Sequence, residues 1–101
     1  MTKVFAQKVA ANQRLIILRA LSEVNDGRLN ETLLMHKLDA FGHTASRAEL
    51  RDQIRFLEGA GAVTVEFPGE AVMVATLTRR GQDHVDRRGD PIEGVDSPSR
   101  I

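Results

Sequence analysis

Apolar positions recur with helical spacing along most of this chain and with strand spacing in one region near its middle. The clearest helix begins at Ser46, where Ser46 and Glu49 have the spacing of a capping box. Gly59 and Gly61 predict its end. Its apolar face carries three residues at i, i+4 and i+7: Leu50, Ile54 and Leu57. The sequence therefore predicts an amphipathic helix over residues 46–61.

Two further helices are predicted upstream. Met1–Val24 is typical of one long helix or two short ones, and Val4–Val9 either covers the core or extends beyond it to a second copy. Asn30 is a favourable N-cap for a helix that runs to Phe41 and ends at Gly42. We expect this helix to bury a set of four apolar residues: Leu33, Leu34, Leu38 and Phe41.

The strand-like region follows the Ser46 helix. Ala62–Phe67 alternates apolar and polar residues, and Ala71–Leu77 is a second, more apolar run. Pro68 and Gly69 lie between them and favour a type II turn, so we expect a wider loop than a two-residue hairpin. Arg28 and Leu29 could add a very short strand.

Thr78 can cap a last helix over Arg79–Arg88. Beyond Gly89 the chain is rich in Pro, Gly, Ser and Asp, which predicts a flexible or surface-lying tail over residues 89–101. Residues 1–88 are therefore expected to form the folded domain.

Composition limits the classes of protein. The 101 residues carry 14 basic and 14 acidic side chains and no Cys, so disulfide and thiol chemistry are excluded. No apolar run reaches the roughly 18 residues of a membrane span, and no signal-peptide core is visible. These features favour a location in the cytoplasm. A formal net charge of zero is unusual for a domain that binds nucleic acid, although charge can be segregated onto one face.

The outer arc of the Ser46 helix is the main candidate site. It carries Arg47, Arg51 and Arg55 at four-residue spacing, which predicts a basic stripe. The stripe could enter a major groove, or it could be a solvated face in which Arg55 pairs with Asp52 or Glu58. The candidate DNA-binding residues are Ser46, Arg47, Ala48, Arg51, Asp52 and Arg55.

Two other features bear on DNA binding. The predicted hairpin carries Glu66 and Glu70 but no Lys or Arg, which disfavours phosphate contact and favours a protein partner. Arg79 and Arg80 open the last helix and are weaker candidates for an auxiliary phosphate contact.

Candidate chemistry is sparse. His36, His43 and His84 lack metal-ligand spacing, and no catalytic triad, phosphate loop or carboxylate pair is visible. We therefore expect no cofactor, no metal, no small-molecule substrate and no enzymatic activity.

The order helix, helix, turn, helix, strand, loop, strand and closing helix is that of an α+β winged helix-turn-helix domain, with a three-helix core, a small antiparallel β-hairpin wing and a short C-terminal helix. Leu77-Thr78-Arg79-Arg80-Gly81 is similar to a Leu-Thr-x-x-Gly signature that often follows the wing.

The chain also resembles a family of small winged-helix proteins of Mu-like phages and prophages. Five segments carry the resemblance: RLIILRALSEV, LNETLLMHKLDAFGH, the Ser46 helix, VMVATLTRRGQDHV and GDPIEGVDSPS. The resemblance implies phage or prophage origin and a bacterial host. DNA binding is inferred for such proteins from the fold alone.

Two functions remain open at this point. The first is sequence-specific binding to double-stranded DNA in phage regulation, for example of transcription, with the Ser46 helix as reader and a homodimer formed through the N-terminal helix. The alternative is a non-enzymatic protein-interaction adaptor that does not bind DNA.

Overall fold

The computed structural model describes residues 2–99, which form four helices and a three-stranded antiparallel sheet. The elements in chain order are α1 (Lys3–Ser22), β1 (Arg28–Asn30), α2 (Glu31–Ala40), α3 (Arg47–Gly59), β2 (Val63–Glu66), β3 (Val74–Leu77) and α4 (Arg79–Val85). The predicted α+β class is confirmed. The predicted start of the first helix at Met1 and the last two residues of the chain lie outside the described residues.

Each of these helices begins at a side-chain cap. Thr2, Asn30, Ser46 and Thr78 each accept a hydrogen bond from the backbone N–H three residues on. The predicted capping box is present, since Glu49 N donates to Ser46 Oγ at 3.0 Å and Ser46 N donates to Glu49 Oε1 at 2.8 Å. Local sequence therefore fixes where the helices start.

The sheet has the order β1-β3-β2. Thr76 lies opposite Arg28 on one side and Thr64 on the other, so β3 is the central strand. The β2–β3 loop spans residues 67–73, wider than a two-residue turn, as predicted. The strand predicted over Ala71–Leu77 is β3, and it begins only at Val74 because residues 71–73 belong to this loop.

The core lies between α1, α2, α3 and the inner face of the sheet. Three apolar residues of α3 are fully buried, as predicted: Leu50, Ile54 and Leu57. Leu34 and Leu38 are also buried, but the predicted burial of Leu33 and Phe41 is wrong, because their side chains are 46% and 63% exposed. Leu33 lies about 100° from Leu34 around the α2 axis, and Phe41 follows the last helical residue.

The tail beyond Gly89, expected to be flexible or surface-lying, is packed onto the domain over residues 91–98. Residues 91–98 run back across α1 and α4, and Ile92 and Val95 are only 3% and 8% exposed within the core. Asp96 N donates to the Ala11 carbonyl at 3.2 Å, and Arg14 Nη1 donates to the Gly94 carbonyl at 2.9 Å. We call residues 91–98 the strap. Two buried apolar side chains amid Pro, Gly and Asp, together with these hydrogen bonds, hold the strap on the domain.

His84 attaches the strap to α4. Its side chain is 3% exposed, Ile92 N donates to His84 Nδ1 at 3.0 Å, and His84 Nε2 lies 2.8 Å from the Asp96 carbonyl oxygen. These two contacts define a neutral imidazole protonated on Nε2. The last helix, predicted to run to Arg88, ends three residues earlier, at Val85. Arg87 then takes a left-handed conformation with φ 62°.

Gly81 explains the Leu-Thr-x-x-Gly pattern in physical terms. A Cβ at this position would overlap the Ala62 carbonyl oxygen and would lie 2.6 Å from Leu77 Cδ1. Thr78 accepts from Gly81 N and donates from Oγ1 to the Gly61 carbonyl at 2.6 Å. The pattern thus fastens the start of α4 to the end of α3.

None of the helices within residues 2–99 combines the length and apolar character needed to cross a membrane.

The α3 surface and the α1–α2 face as candidate functional sites

Arg51, at the centre of the predicted basic stripe, turns inward and binds Glu31. Arg51 Nε lies 2.7 Å from Glu31 Oε1, and Arg51 Nη2 lies 2.7 Å from Glu31 Oε2. The Glu31 side chain is fully buried at the start of α2, whereas the Arg51 side chain is 35% exposed. The pair is therefore a bidentate ion pair that joins α2 to α3.

Glu31 also connects these helices to the sheet. Met73 N donates to Glu31 Oε2 at 2.5 Å, and Glu31 N donates to the Met73 carbonyl at 2.9 Å. Hydrogen bonding to Arg51 lowers the pKa of Glu31 from 4.5 to about 2; burial opposes this shift, and the bonds from Met73 N and Arg47 add to it. Glu31 is thus an ionised, buried carboxylate at the junction of α2, α3 and β3.

The other two arginines of the stripe are also paired. Arg47 Nη1 lies 3.2 Å from Glu31 Oε1, and Arg55 Nη1 lies 2.8 Å from Glu58 Oε1. The guanidinium groups of Arg51 and Arg55 lie 5.4 and 5.9 Å from the centroid of the Phe67 ring. Phe67 itself packs against the core.

The outward arc of α3 consequently has little net charge. Since Leu50, Ile54 and Leu57 face the core, four residues at i, i+4, i+7 and i+11 point away from it: Ala48, Asp52, Arg55 and Gly59. Arg47 and Arg51 lie toward Glu31 at the side of this arc, and Ser46 is occupied by the capping box. Of the two alternatives for the stripe, the structure has the ion-paired one: Arg55 pairs with Glu58 as the spacing allowed, and Arg47 and Arg51 pair with Glu31, which the spacing did not indicate.

The hairpin loop carries no basic residue, whereas the start of α4 carries the exposed Arg79 and Arg80. Glu66 pairs with Arg28 at 2.7 Å across the sheet, and Glu70 is exposed at the tip of the loop. Arg79 Nε lies 3.2 Å from Asp83 Oδ1, and Arg80 Nε donates to the Ala60 carbonyl at 3.0 Å. The two candidate auxiliary phosphate contacts are thus engaged within the chain, although the Arg79 side chain is 84% exposed.

A different surface carries exposed apolar side chains. Phe5 is 56% exposed on α1, and Leu33 and Phe41 are 46% and 63% exposed on and just after α2. Leu33 lies one helical turn before Lys37, and Phe41 lies one turn after it, so all three share one side of α2. We call this surface the α1–α2 face.

A cleft of about 270 Å³ opens on this face between α1 and α2. Leu15, Ile16 and Ala20 form its apolar floor, Phe41 lies along its side, and Arg19 lies at its edge. Lys37 Nζ lies 3.0 Å from Glu23 Oε1 and 6.0 Å from the centroid of the Phe41 ring. The cleft therefore offers apolar surface bordered by charges, a composition suited to contact with protein.

Sequence reasoning missed the roles of Glu31, which binds Arg51, and of Phe41, which is exposed beside the cleft. Glu31 has the pattern of a first-turn acid that stabilises a helix N-terminus, and its partner Arg51 is twenty residues away. Phe41 has the spacing of a core residue, and only its position just beyond the last turn of α2 could have indicated exposure. His43, which follows, is close to Asn12 Oδ1 at 2.7 Å and fixes the α2–α3 connection to α1.

Within residues 2–99, no three His, Asp or Glu side chains come together as a set that could hold a metal ion. The polar contacts described above are structural: they join helices, sheet and strap.

Comparison with known proteins places this chain among phage proteins. It is 42% identical over 87 residues to the uncharacterized protein gp26 of Escherichia phage Mu, covering 86% of this chain and 88% of gp26. It is also 37% identical over 76 residues to an uncharacterized protein of Haemophilus influenzae, covering 75% of this chain and 74% of that protein. No protein-family model matches the sequence. The chain therefore belongs to the Mu-like phage protein family that includes gp26.

Proposed function

We propose that this protein is a winged-helix domain that acts as a non-enzymatic protein-interaction module, with the α1–α2 face as its contact surface. The order of elements and the β1-β3-β2 sheet support the winged-helix assignment, with the β2–β3 hairpin as the wing. The single observation that carries the function is the exposure of Phe41 beside an apolar cleft, and Phe5 is also exposed on α1.

Exposed aromatic side chains are costly to leave in water. Each buries about 150–250 Å² when fully covered, and aromatic residues are enriched at the centres of protein interfaces. The two rings are each more than half exposed, and Leu33 adds to the same face. A protein surface that covered them would gain hydrophobic stabilisation of the kind that drives association.

The pairing of the α3 arginines supports this function over DNA binding. A phosphate that approached Arg51 would compete with a bidentate bond to a carboxylate that is buried and cannot be rehydrated without opening the domain. The acids Asp52, Glu66 and Glu70 around this surface would repel a phosphate backbone.

Sequence-specific binding of double-stranded DNA is the second candidate, and one observation favours it. The Arg55 side chain is 52% exposed on the outward arc, which also contains the small residues Ala48 and Gly59, and the Arg47 side chain is 46% exposed at the side of this arc. In this function α3 would lie in the major groove, and the protein would act in phage regulation in the bacterial cytoplasm.

Photo-cross-linking in bacterial cells distinguishes the two functions. A photoreactive phenylalanine analogue is placed at position 41 in one variant and at position 52 in the matched control. We expect protein adducts from position 41 and few from position 52. Nucleic-acid adducts from position 52, with no protein adducts from position 41, would contradict the proposed function.

A further inference from the structure

Charge is segregated in this chain although its formal sum is zero. Helix α1 contains no acidic residue, and it carries four of the 14 basic residues of the chain: Lys3, Lys8, Arg14 and Arg19. The rest of the chain therefore holds ten basic and 14 acidic residues, which gives α1 a formal charge of +4 and the remainder a formal charge of −4. A cationic helix on an otherwise anionic protein attracts acidic partners and repels basic ones.

Two of these cations lie on the α1–α2 face without a carboxylate partner. Lys8 and Arg19 are eleven residues apart, which places them within about 20° of each other around the helix axis and about 16 Å apart along it. Both are exposed, and neither forms an ion pair within residues 2–99. Lys8 lies one turn before Asn12, where the cleft begins on α1, and Arg19 lies at its edge farther along the helix.

The acidic side chains beside this surface are already bonded within the chain. Glu23 Oε1 lies 3.0 Å from Lys37 Nζ, and Asp96 Oδ2 accepts a hydrogen bond from Asn12 Nδ2 at 3.2 Å. The Lys37 side chain is nevertheless 40% exposed, and it lies near the Phe41 ring. The face therefore presents cations around an apolar cleft, while its own carboxylates are engaged.

We propose, building on the protein-interaction function, that the partner of the α1–α2 face is an acidic segment of another protein. One apolar side chain of this segment lies in the cleft of about 270 Å³, against its apolar floor and the Phe41 ring. Carboxylates on either side of that side chain bind Lys8 and Arg19. The separation of about 16 Å between these two positions corresponds to about eleven residues of a partner helix.

The apolar cleft favours a protein segment over a nucleic acid as the anionic partner. A phosphate backbone binds through charge and gains little from apolar surface. Phe41 is 63% exposed beside the cleft, and an aromatic centre with a charged rim is the usual composition of a protein interface. In this arrangement the cleft supplies hydrophobic stabilisation, and the cations speed association and select acidic partners.

Selection from a displayed library of random peptides, with the full chain as bait, tests the proposal. Peptides of about 16 residues are long enough to reach both cations. Those that bind should be enriched in Asp and Glu around an aromatic or aliphatic residue. In an NMR titration of isotope-labelled protein, a selected peptide should shift the amides of Lys8, Arg19 and Phe41. Its dissociation constant should rise at least about 3-fold between about 50 and 200 mM salt, because salt screens the exposed charges.

Charge reversal at the two cations is the sharper arm of the test. Lys8→Glu and Arg19→Glu should each weaken the selected peptide at least about 10-fold, because each replaces an attraction with a repulsion. Arg88→Glu is the matched control: Arg88 is exposed and lines no part of the cleft, so the dissociation constant should change less than about 2-fold. One acid of the peptide, changed to lysine, should restore binding to R19E. All three positions are exposed, so the variants should keep their fold, which circular dichroism verifies.

Several outcomes would overturn the acidic partner. They are a library that yields no binding peptide, selected peptides that are neutral or basic, peptides that shift other surfaces instead, and binding that withstands both charge reversals. A duplex of about 20 base pairs that shifts the same amides at lower concentration would assign these cations to nucleic acid and would also overturn it. Protein adducts from position 41 separate this failure from that of the interaction function: with adducts the function stands without an acidic partner, and without them both fail.

Discussion

Arg51 and Glu31 form a two-point ion pair, with both nitrogen–oxygen distances at 2.7 Å, in which the carboxylate is fully buried and the guanidinium is partly exposed. The pair joins the first residue of α2 to the middle of α3, and the Met73 amide extends it to the sheet. An arginine with the spacing of a DNA-contacting residue is thus a structural residue. This assignment supports the proposed interaction function over DNA binding.

The first prediction separates a structural arginine from a surface arginine on the same helix. Arg51→Ala leaves the buried Glu31 carboxylate without its principal partner, so we expect Tm to fall by on the order of 10 °C. Arg55→Ala removes an exposed i,i+3 pair with Glu58, and we expect a change below about 3 °C. Thermal melts of both variants check this. Equal effects would show that the Arg51–Glu31 pair does not hold α2 to α3.

The second prediction concerns pH. Because the Arg51 hydrogen bonds lower the pKa of Glu31 from 4.5 to about 2, ionisation of Glu31 favours the folded state at every pH above 4.5. This contribution declines as the pH falls from 4.5 to 2 and is absent below that. In carbon-13 NMR spectra, the Glu31 carboxyl group should titrate near pH 2.

Glu31→Gln gives the matching stability measurement. We expect the difference in free energy of unfolding between wild type and E31Q to be largest near neutral pH and to shrink between pH 4.5 and pH 2. A difference that stays constant across this range, or a titration midpoint near 4.5, would contradict an ionised and paired Glu31.

The third prediction compares two glycines. Gly81→Ala places a methyl group against the Ala62 carbonyl and Leu77, so we expect a loss of about 1–3 kcal/mol in the free energy of unfolding. Gly59→Ala meets no atom within 4 Å at the end of α3, and we expect a gain of about 0.4–1 kcal/mol. Denaturant unfolding measures both. A neutral G81A would show that α4 can shift away from the end of α3.

The fourth prediction concerns the strap. His84→Ala removes the acceptor for Ile92 N and the contact with the Asp96 carbonyl, so the strap should open more often. We expect hydrogen exchange at the Ile92 and Val95 amides to accelerate at least about 10-fold. His36→Ala, on the exposed side of α2, is the control and should leave both rates unchanged. Unchanged rates in H84A would mean that apolar burial alone holds the strap.

Sequence was most informative where structure is set by near neighbours. The caps at Asn30, Ser46 and Thr78 were predicted because each acts on an amide three residues away. The apolar face of α3 was predicted because helical periodicity alone determines it. The short strand β1 was also predicted, although its partner β3 lies nearly fifty residues away.

Sequence was least informative where partners are distant or sparse. Glu31 and Arg51 are in contact only because α2 and α3 pack side by side, and periodicity carries no information on that contact. The strap was missed because its composition is polar, while its two apolar residues, Ile92 and Val95, join the buried core only through the tertiary fold. Spacing along α3 indicated the stripe and a possible Arg55–Glu58 pair, but not the pairing of Arg47 and Arg51 with the distant Glu31.

An NMR titration of isotope-labelled protein with a duplex of about 20 base pairs at low salt tests most directly whether α3 is a structural helix or a DNA reader. We expect the amides of residues 45–55 to keep their positions, since Arg47 and Arg51 are held by Glu31 and Arg55 by Glu58. Shifts confined to those residues and reversed by added salt would contradict this and would make α3 a DNA-binding surface.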